Sequence, residues 1–251
     1  MSKGTRLHVG ARDVRGDIAA YAKRFDLLEV RGLEAKNAPS AATMRRWRRA
    51  APPQFEFAVV APPNVGRLKA GAALENELHA MLAAATLLES RVLVVPTPVE
   101  VTPSKVWRDR LAKLLDRLPR EERTIVWEPS GVWEQEEAAH HATKWGTVLG
   151  VDPSRDEVPA GAVVYGRLRA AGAVRSFSRA ALEKVAEAIG GERRDAYVVV
   201  ETAGALKEAK MLRQLVRGSK SGSAHDSKSA GFATLVRPRG MLAIPNDEQD
   251  E

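Results

Sequence analysis

The stretch "TIVWEPSGVWEQEE", Thr124–Glu137, passes from an apolar, β-branched run into Trp127 and Glu128. It then turns at a proline and a glycine and enters an acid-rich helical pattern. Glu134, Glu136 and Glu137 read as first-turn acids that complement the partial positive charge of a helix N-terminus. The unit is therefore strand, turn, helix, with a carboxylate left at the strand's end. The same unit recurs along the chain. Strands are expected at Arg6–Gly10, Leu27–Arg31, Phe55–Val60, Arg91–Val95, Thr124–Glu128, Thr147–Val151, Ala162–Gly166 and Ala196–Val200. Helical patterns fall near Gly16–Phe25, Ala41–Ala50, Gly71–Leu88, Ser104–Leu118, Glu134–Lys144, Ser178–Ile189 and Gly204–Val216. Val92–Val95 and Val198–Val200 lack polar alternation, as parallel strands covered on both faces do.

Eight strands alternating with helices predict an α/β fold, a TIM-barrel-like (β/α)8 closed parallel barrel, a class typically ~250 residues long. The sixth crossover, Asp152–Gly161, is too short for a full helix. A doubly wound sheet is the alternative, but the first βα turn, "VGARDVRGD", lacks the GxGxxG phosphate fingerprint. The barrel is assigned to residues 1–217. Beyond it, "GSKSGSAHDSKSAG" has linker composition, so residues 218–251 are expected to form a flexible linker and a mostly disordered tail. Docking of "FATLV" or "MLAI" on the barrel is the alternative for that tail.

The chain has 251 residues, no cysteine and a formal net charge of +7. Disulfides and thiolate metal sites are excluded. No run approaches the ~18 apolar residues needed to span a bilayer, and the expectation is a soluble, cytoplasmic protein without membrane contact. Residues 1–50 hold 12 Lys/Arg against 5 Asp/Glu, which accounts for the whole charge excess. In the basic helix "MRRWRRA", Met44 and Trp47 fall on one face and Arg45, Arg46 and Arg49 on the other. Those three arginines are the candidate nucleic-acid contacts. Against that reading, Trp47 is more simply a core anchor, and no second aromatic stands among them for base stacking. Walker A, HExxH and GxSxG motifs are absent. The five histidines are scattered, and adjacent His140 and His141 diverge by about 100° on a helix, so no metal site and no cofactor is expected.

In such barrels chemistry collects at the C-terminal strand ends, where the βα loops converge. Those ends carry Arg12 and Asp13, Glu29 and Arg31, Asn64, Thr97, Trp127 and Glu128, Asp152, Arg167 and Arg169, and Glu201 with Thr202. The candidate ligand-binding mouth is Arg12, Glu29, Trp127, Glu128, Asp152, Arg167, Arg169, Glu201 and Thr202. Four carboxylates from four strands suit acid/base chemistry, as in glycoside hydrolysis, or the binding of a polyol, amine or metal. Trp127 is expected to exclude water there and to raise one carboxylate's pKa. The competing account is that these acids close ion pairs with Arg12, Arg167 or Arg169. A second candidate is an anion site after the last two strands, with Arg167 and Arg169 on one face and Thr202 capping the final helix.

The order of "LHVGARD", "AYAKRFDLLEV", "TMRRWRRAAPPQFEFAVVAPP", "RVLVVPTP", "IVWEPSGVW", "VVYGRLRAAG" and "AYVVVETAGALKEAKML" resembles the YecE-like proteins of the domain-of-unknown-function 72 (DUF72) family. The resemblance covers about residues 5–216 and implies a TIM-barrel-like fold with no assigned activity. It carries Glu29, Glu128 and Arg167 over as mouth residues. The chain is a divergent member: "VGARDVRG" replaces a GxSGW-like start, Val60 stands for a usual lysine, and Arg169 stands for a histidine. Glu201 and Thr202 take the place of an asparagine pair. Three readings follow. The first is a protein, enzymatic or not, that binds a small polar or anionic ligand at the mouth. The second is a nucleic-acid-binding module, and the third a non-catalytic interaction scaffold.

Overall fold

In the computed structural model, eight parallel strands close on themselves in chain order. They are β1 (Arg6–Ala11), β2 (Leu27–Val30), β3 (Glu56–Val60), β4 (Val92–Pro96), β5 (Thr124–Glu128), β6 (Val148–Val151), β7 (Val163–Arg169) and β8 (Asp195–Glu201). The structure describes residues 4–12, 14, 17–170, 176–190 and 194–222. Closure is made by β8 against β1, in register from Arg6 opposite Asp195 to Ala11 opposite Val200. At the β1–β2 seam the backbones come so close that a Cβ on Gly10 would lie 2.3 Å from the Leu27 carbonyl oxygen, so glycine is required there.

The helices are α1 (Ile18–Ala22), α2 (Ala41–Ala50), α3 (Pro63–Gly66), α4 (Ala72–Leu87), α5 (Lys105–Leu115), α6 (Gln135–Lys144), α7 (Arg179–Ile189) and α8 (Ala205–Gly222). Ser40 and Ser178 cap α2 and α7 by accepting the amides of Thr43 and Ala181. The crossover from β6 to β7 carries no helix, as its length predicts. The short α3, opened by Pro63, was not expected from periodicity, because one turn has no period to detect. α8 runs through Gly222, past Gly218 where linker composition begins. The tail, residues 223–251, and Asp13 lie outside the described residues. Among the described residues no helix is long and apolar enough to cross a membrane.

Strand alternation divides the core into two layers. Leu27, Ala58, Val92, Val94, Val126, Tyr165, Tyr197 and Val199 fill the barrel interior. Their strand neighbours, among them Leu28, Val59, Leu93, Trp127, Leu168 and Val198, pack outward against the helices. Both faces are thus apolar, which is why the strands read as continuous hydrophobic runs. The polar exceptions at the C-terminal ends sit on the inward parity and define the mouth.

Candidate functional site at the barrel mouth

Three of the predicted carboxylates, Glu29 on β2, Glu128 on β5 and Glu201 on β8, converge on a single guanidinium, that of Arg167 on β7. Its Nη1 donates to Glu29 Oε2 and to Glu201 Oε1, both at 2.7 Å. Its Nη2 donates to Glu29 Oε1 at 2.6 Å and to Glu128 Oε2 at 3.0 Å, and its Nε to Glu128 Oε1 at 2.7 Å. All five N–H groups are thereby used in charge-assisted, forked bonds. Arg31 adds donors to Glu29 Oε2 at 2.6 and 2.8 Å and reaches Glu201 at 3.3 Å. Arg169, two residues beyond Arg167 and on the same face, donates to Glu128. The Tyr165 hydroxyl donates to Glu29 from below.

Three carboxylates and three guanidinium groups therefore neutralise one another. Arg167 and Glu29 are buried, whereas the Arg169 side chain is half exposed. Burial by itself would push the Glu29 carboxyl up. The Arg167 hydrogen bonds and charge, with Arg31 and the Tyr165 hydroxyl, overcome that and hold it at about 2. Burial likewise opposes the Arg167 charge, but Glu29 and Glu128 outweigh it and raise its pKa. Burial, then the Glu29 charge, push the Tyr165 phenol well above its ordinary value. Glu29 is consequently an anion at neutral pH and not a proton donor there.

The other predicted mouth residues divide. Trp127 is not at the mouth. Adjacent strand residues face opposite sides, so with Glu128 inward Trp127 must point outward. There its indole donates to Thr97 at 3.0 Å and meets Trp133 and Trp145 edge to face. Asp152 does not join the ring either: its Oδ1 accepts the amide and hydroxyl of Ser154 and organises the β6–β7 connection. The Thr202 hydroxyl donates to Glu208 within the first turn of α8. Arg12 lies beside the network in a cleft of about 750 Å³ between α1 and α8, which Arg24, Arg169, Glu201 and Asp17 also line. Tyr21, Phe25, Val200 and Leu206 supply its apolar wall. No described residue forms an ion pair with Arg12 or Arg24. Sequence reasoning missed Arg31 and Tyr165 as network members, although Tyr165 shares the two-residue spacing of Arg167 and Arg169.

The basic helix α2 is turned as its pattern predicts. Met44 is buried and Trp47 packs on the outer core, while Arg45, Arg46 and Arg49 are exposed. Arg48 is held apart from them, donating to the carbonyls of Phe55 and Pro52 at 2.9 and 2.6 Å.

The family described as "Protein of unknown function DUF72" matches residues 7–230. The crystal structure of a DUF72 family protein from Enterococcus faecalis V583 superposes with a TM-score of 0.65 at 15% identity, covering 84% of this chain and 96% of that one. A DUF72 family protein from Thermotoga maritima MSB8 gives 0.63 at 16% identity, with 85% and 99% covered. An AP endonuclease, family 2, from Brucella melitensis gives 0.56 at 13% identity, with 83% and 98% covered. At these identities the likeness is one of fold. No curated protein matches the chain.

Proposed function

The chain belongs to the DUF72 family, and from that premise we propose that it binds a small anionic ligand, carboxylate or phosphate in chemistry, at the C-terminal mouth of its barrel. The seat is the cleft beside the Arg167 network. The observation that carries this reading is the disposition of charge. Glu29, Glu128 and Glu201 are already bound to arginine, while Arg12 and Arg24 line the cleft, against Asp17 as its other acid, with no ion-pair partner among the described residues. An anion entering there meets guanidinium forks at its rim and an apolar wall behind, the combination that orients small ligands in pockets. Glu201 does not repel it, because Arg167 and Arg31 hold that charge. Acid/base chemistry by paired carboxylates is disfavoured, since that needs one acid with a raised pKa and Glu29 is held low.

The test is titration of the full chain with citrate and with inorganic phosphate at constant ionic strength, followed by thermal midpoint and by heat of binding. A saturable rise in midpoint is expected, with affinity at least ~10-fold weaker in Arg12→Ala/Arg24→Ala, a loss of about 1.4 kcal/mol. Both side chains are exposed, so the variant keeps its circular dichroism spectrum. The reading fails if neither anion gives a saturable response, or if the double variant responds like the parent.

A further inference from the structure

Every strand except β6 is followed by a helix, so the outer ring of helices is interrupted where the β6–β7 connection runs instead. The interruption leaves one flank of α6 without a helix in the next place of the ring. Between that flank and the connection lies a groove of about 940 Å³. Its α6 wall is Glu136, Ala139, His140 and Thr143, at the i, i+3, i+4, i+7 spacing of a single helix face, and Pro159 and Ala160 line the other side. The two walls are tied together: Gln135 Nε2 donates to the Glu157 carbonyl, and the Glu157 amide donates to Gln135 Oε1 at 3.3 Å. That bridge sets Glu157 beside the first turn of α6. Glu134, Glu136 and Glu157 therefore gather at one end of the groove, with Lys144 at the other. All three acids are exposed, and none has an ion-pair partner among the described residues.

The complement of this groove stands elsewhere on the same chain. On α2, Ala42, Arg45, Arg46 and Arg49 repeat the i, i+3, i+4, i+7 spacing on an exposed face. These three arginines likewise have no ion-pair partner among the described residues. Three unpaired cations thus stand on a helix face, and three unpaired acids line a groove that lacks a helix. α2 cannot reach the groove of its own chain. The strands follow one another in chain order, so α2 sits three places round the barrel from α6 and four from the β6–β7 connection, nearly opposite both. We infer that the exposed face of α2 docks in the α6 groove of a second copy, with Arg45, Arg46 and Arg49 toward Glu134, Glu136 and Glu157. The two helices lie antiparallel, which sets the negative C-terminal end of α2 beside the positive N-terminal end of α6. The contact is head to tail: each pair leaves one α2 and one groove free, so growth is open-ended. The net charge of +7 repels copies at long range, and the attraction acts within a Debye length, about 10 Å at 0.1 M salt. The inference is independent of the anion cleft.

The test is sedimentation of the full chain, freed of nucleic acid, at up to about 0.5 mM in about 0.1 M and about 0.5 M salt. At the lower salt the average mass is expected to rise with concentration past that of two chains, and at the higher salt to return to that of one. Arg45→Glu/Arg46→Glu, and separately Glu136→Lys/Glu157→Lys, are expected to weaken association at least ~10-fold. Both variants alter only exposed side chains and keep the parental circular dichroism spectrum. An equimolar mixture of the two is expected to restore association, because every α2 then meets a groove of opposite charge. The inference is overturned by a single-chain mass at the lower salt, a mass that levels off at two chains, association indifferent to salt or to either variant, or a mixture that stays apart.

Discussion

Arg167 is the residue on which the mouth depends. A guanidinium is suited to the role because it is planar, permanently charged and offers five donors in a fixed fork, so it satisfies three carboxylates that would otherwise repel one another. A lysine presents three donors from one point and leaves part of the set unpaired. Replacing Arg167 by Met leaves three inward acids facing Arg31 and Arg169 alone. Truncating one partner of a buried ion network typically destabilises by about 3–5 kcal/mol, and a loss of that size is expected in urea unfolding at pH 7. The pH dependence has a definite sign. Glu29 sits at about 2 in the folded protein and near 4.5 unfolded, so the unfolded chain takes up the proton first. The network's contribution is therefore complete above about pH 4.5 and is lost as pH falls towards 2. The gap between parent and Arg167→Met should narrow through that window; a gap constant from pH 7 to pH 3 would contradict the assignment.

At the level of elements, strand parity decides who belongs to the site. On β7, Tyr165, Arg167 and Arg169 share the inward face; on β5, Glu128 faces in and Trp127 faces out. The tryptophan's contribution is made to packing, in the T-shaped group with Trp133 and Trp145 that fixes α6 on β5. Neighbouring strands approach closely at Gly10, where β1 meets β2 over a short pairing of Gly10 with Leu27 and Ala11 with Leu28. Gly10→Ala would drive a methyl into the Leu27 carbonyl, and backbone cannot yield as a flexible side chain can. The expected result is destabilisation by about 1–3 kcal/mol or more, read as a lowered thermal midpoint with an unchanged far-ultraviolet spectrum. An unaltered midpoint would mean that the β1–β2 seam is looser than its geometry indicates.

Over the whole molecule, closure makes the eight units interdependent: all six residues of β1 pair with β8, so no sheet edge is left at which one half could open alone. Unfolding is accordingly expected to be a single transition. Tryptophan fluorescence, which reports chiefly on the α5–β5–α6 sector, should superimpose on circular dichroism across a urea titration. A fluorescence change that precedes the loss of ellipticity would reveal a separable sector. Much of this architecture was legible in the chain. The order of strands and helices, the parallel sheet and the short sixth crossover follow from hydrophobic runs and their spacing, because burial on both faces leaves a local signature. The identities of Glu29, Glu128, Arg167, Arg169 and Glu201 as mouth residues were also readable, since a charge at the end of an apolar run has few other places to go. What the chain alone left open was which of them meet. Two of the pairings, Glu29 with Arg167 and Arg31 with Glu201, join residues more than a hundred positions apart, and only ring closure brings such positions together. That distance in sequence is why the acids read equally well as catalysts or as ion pairs, and why the three-dimensional arrangement alone made them partners of one arginine.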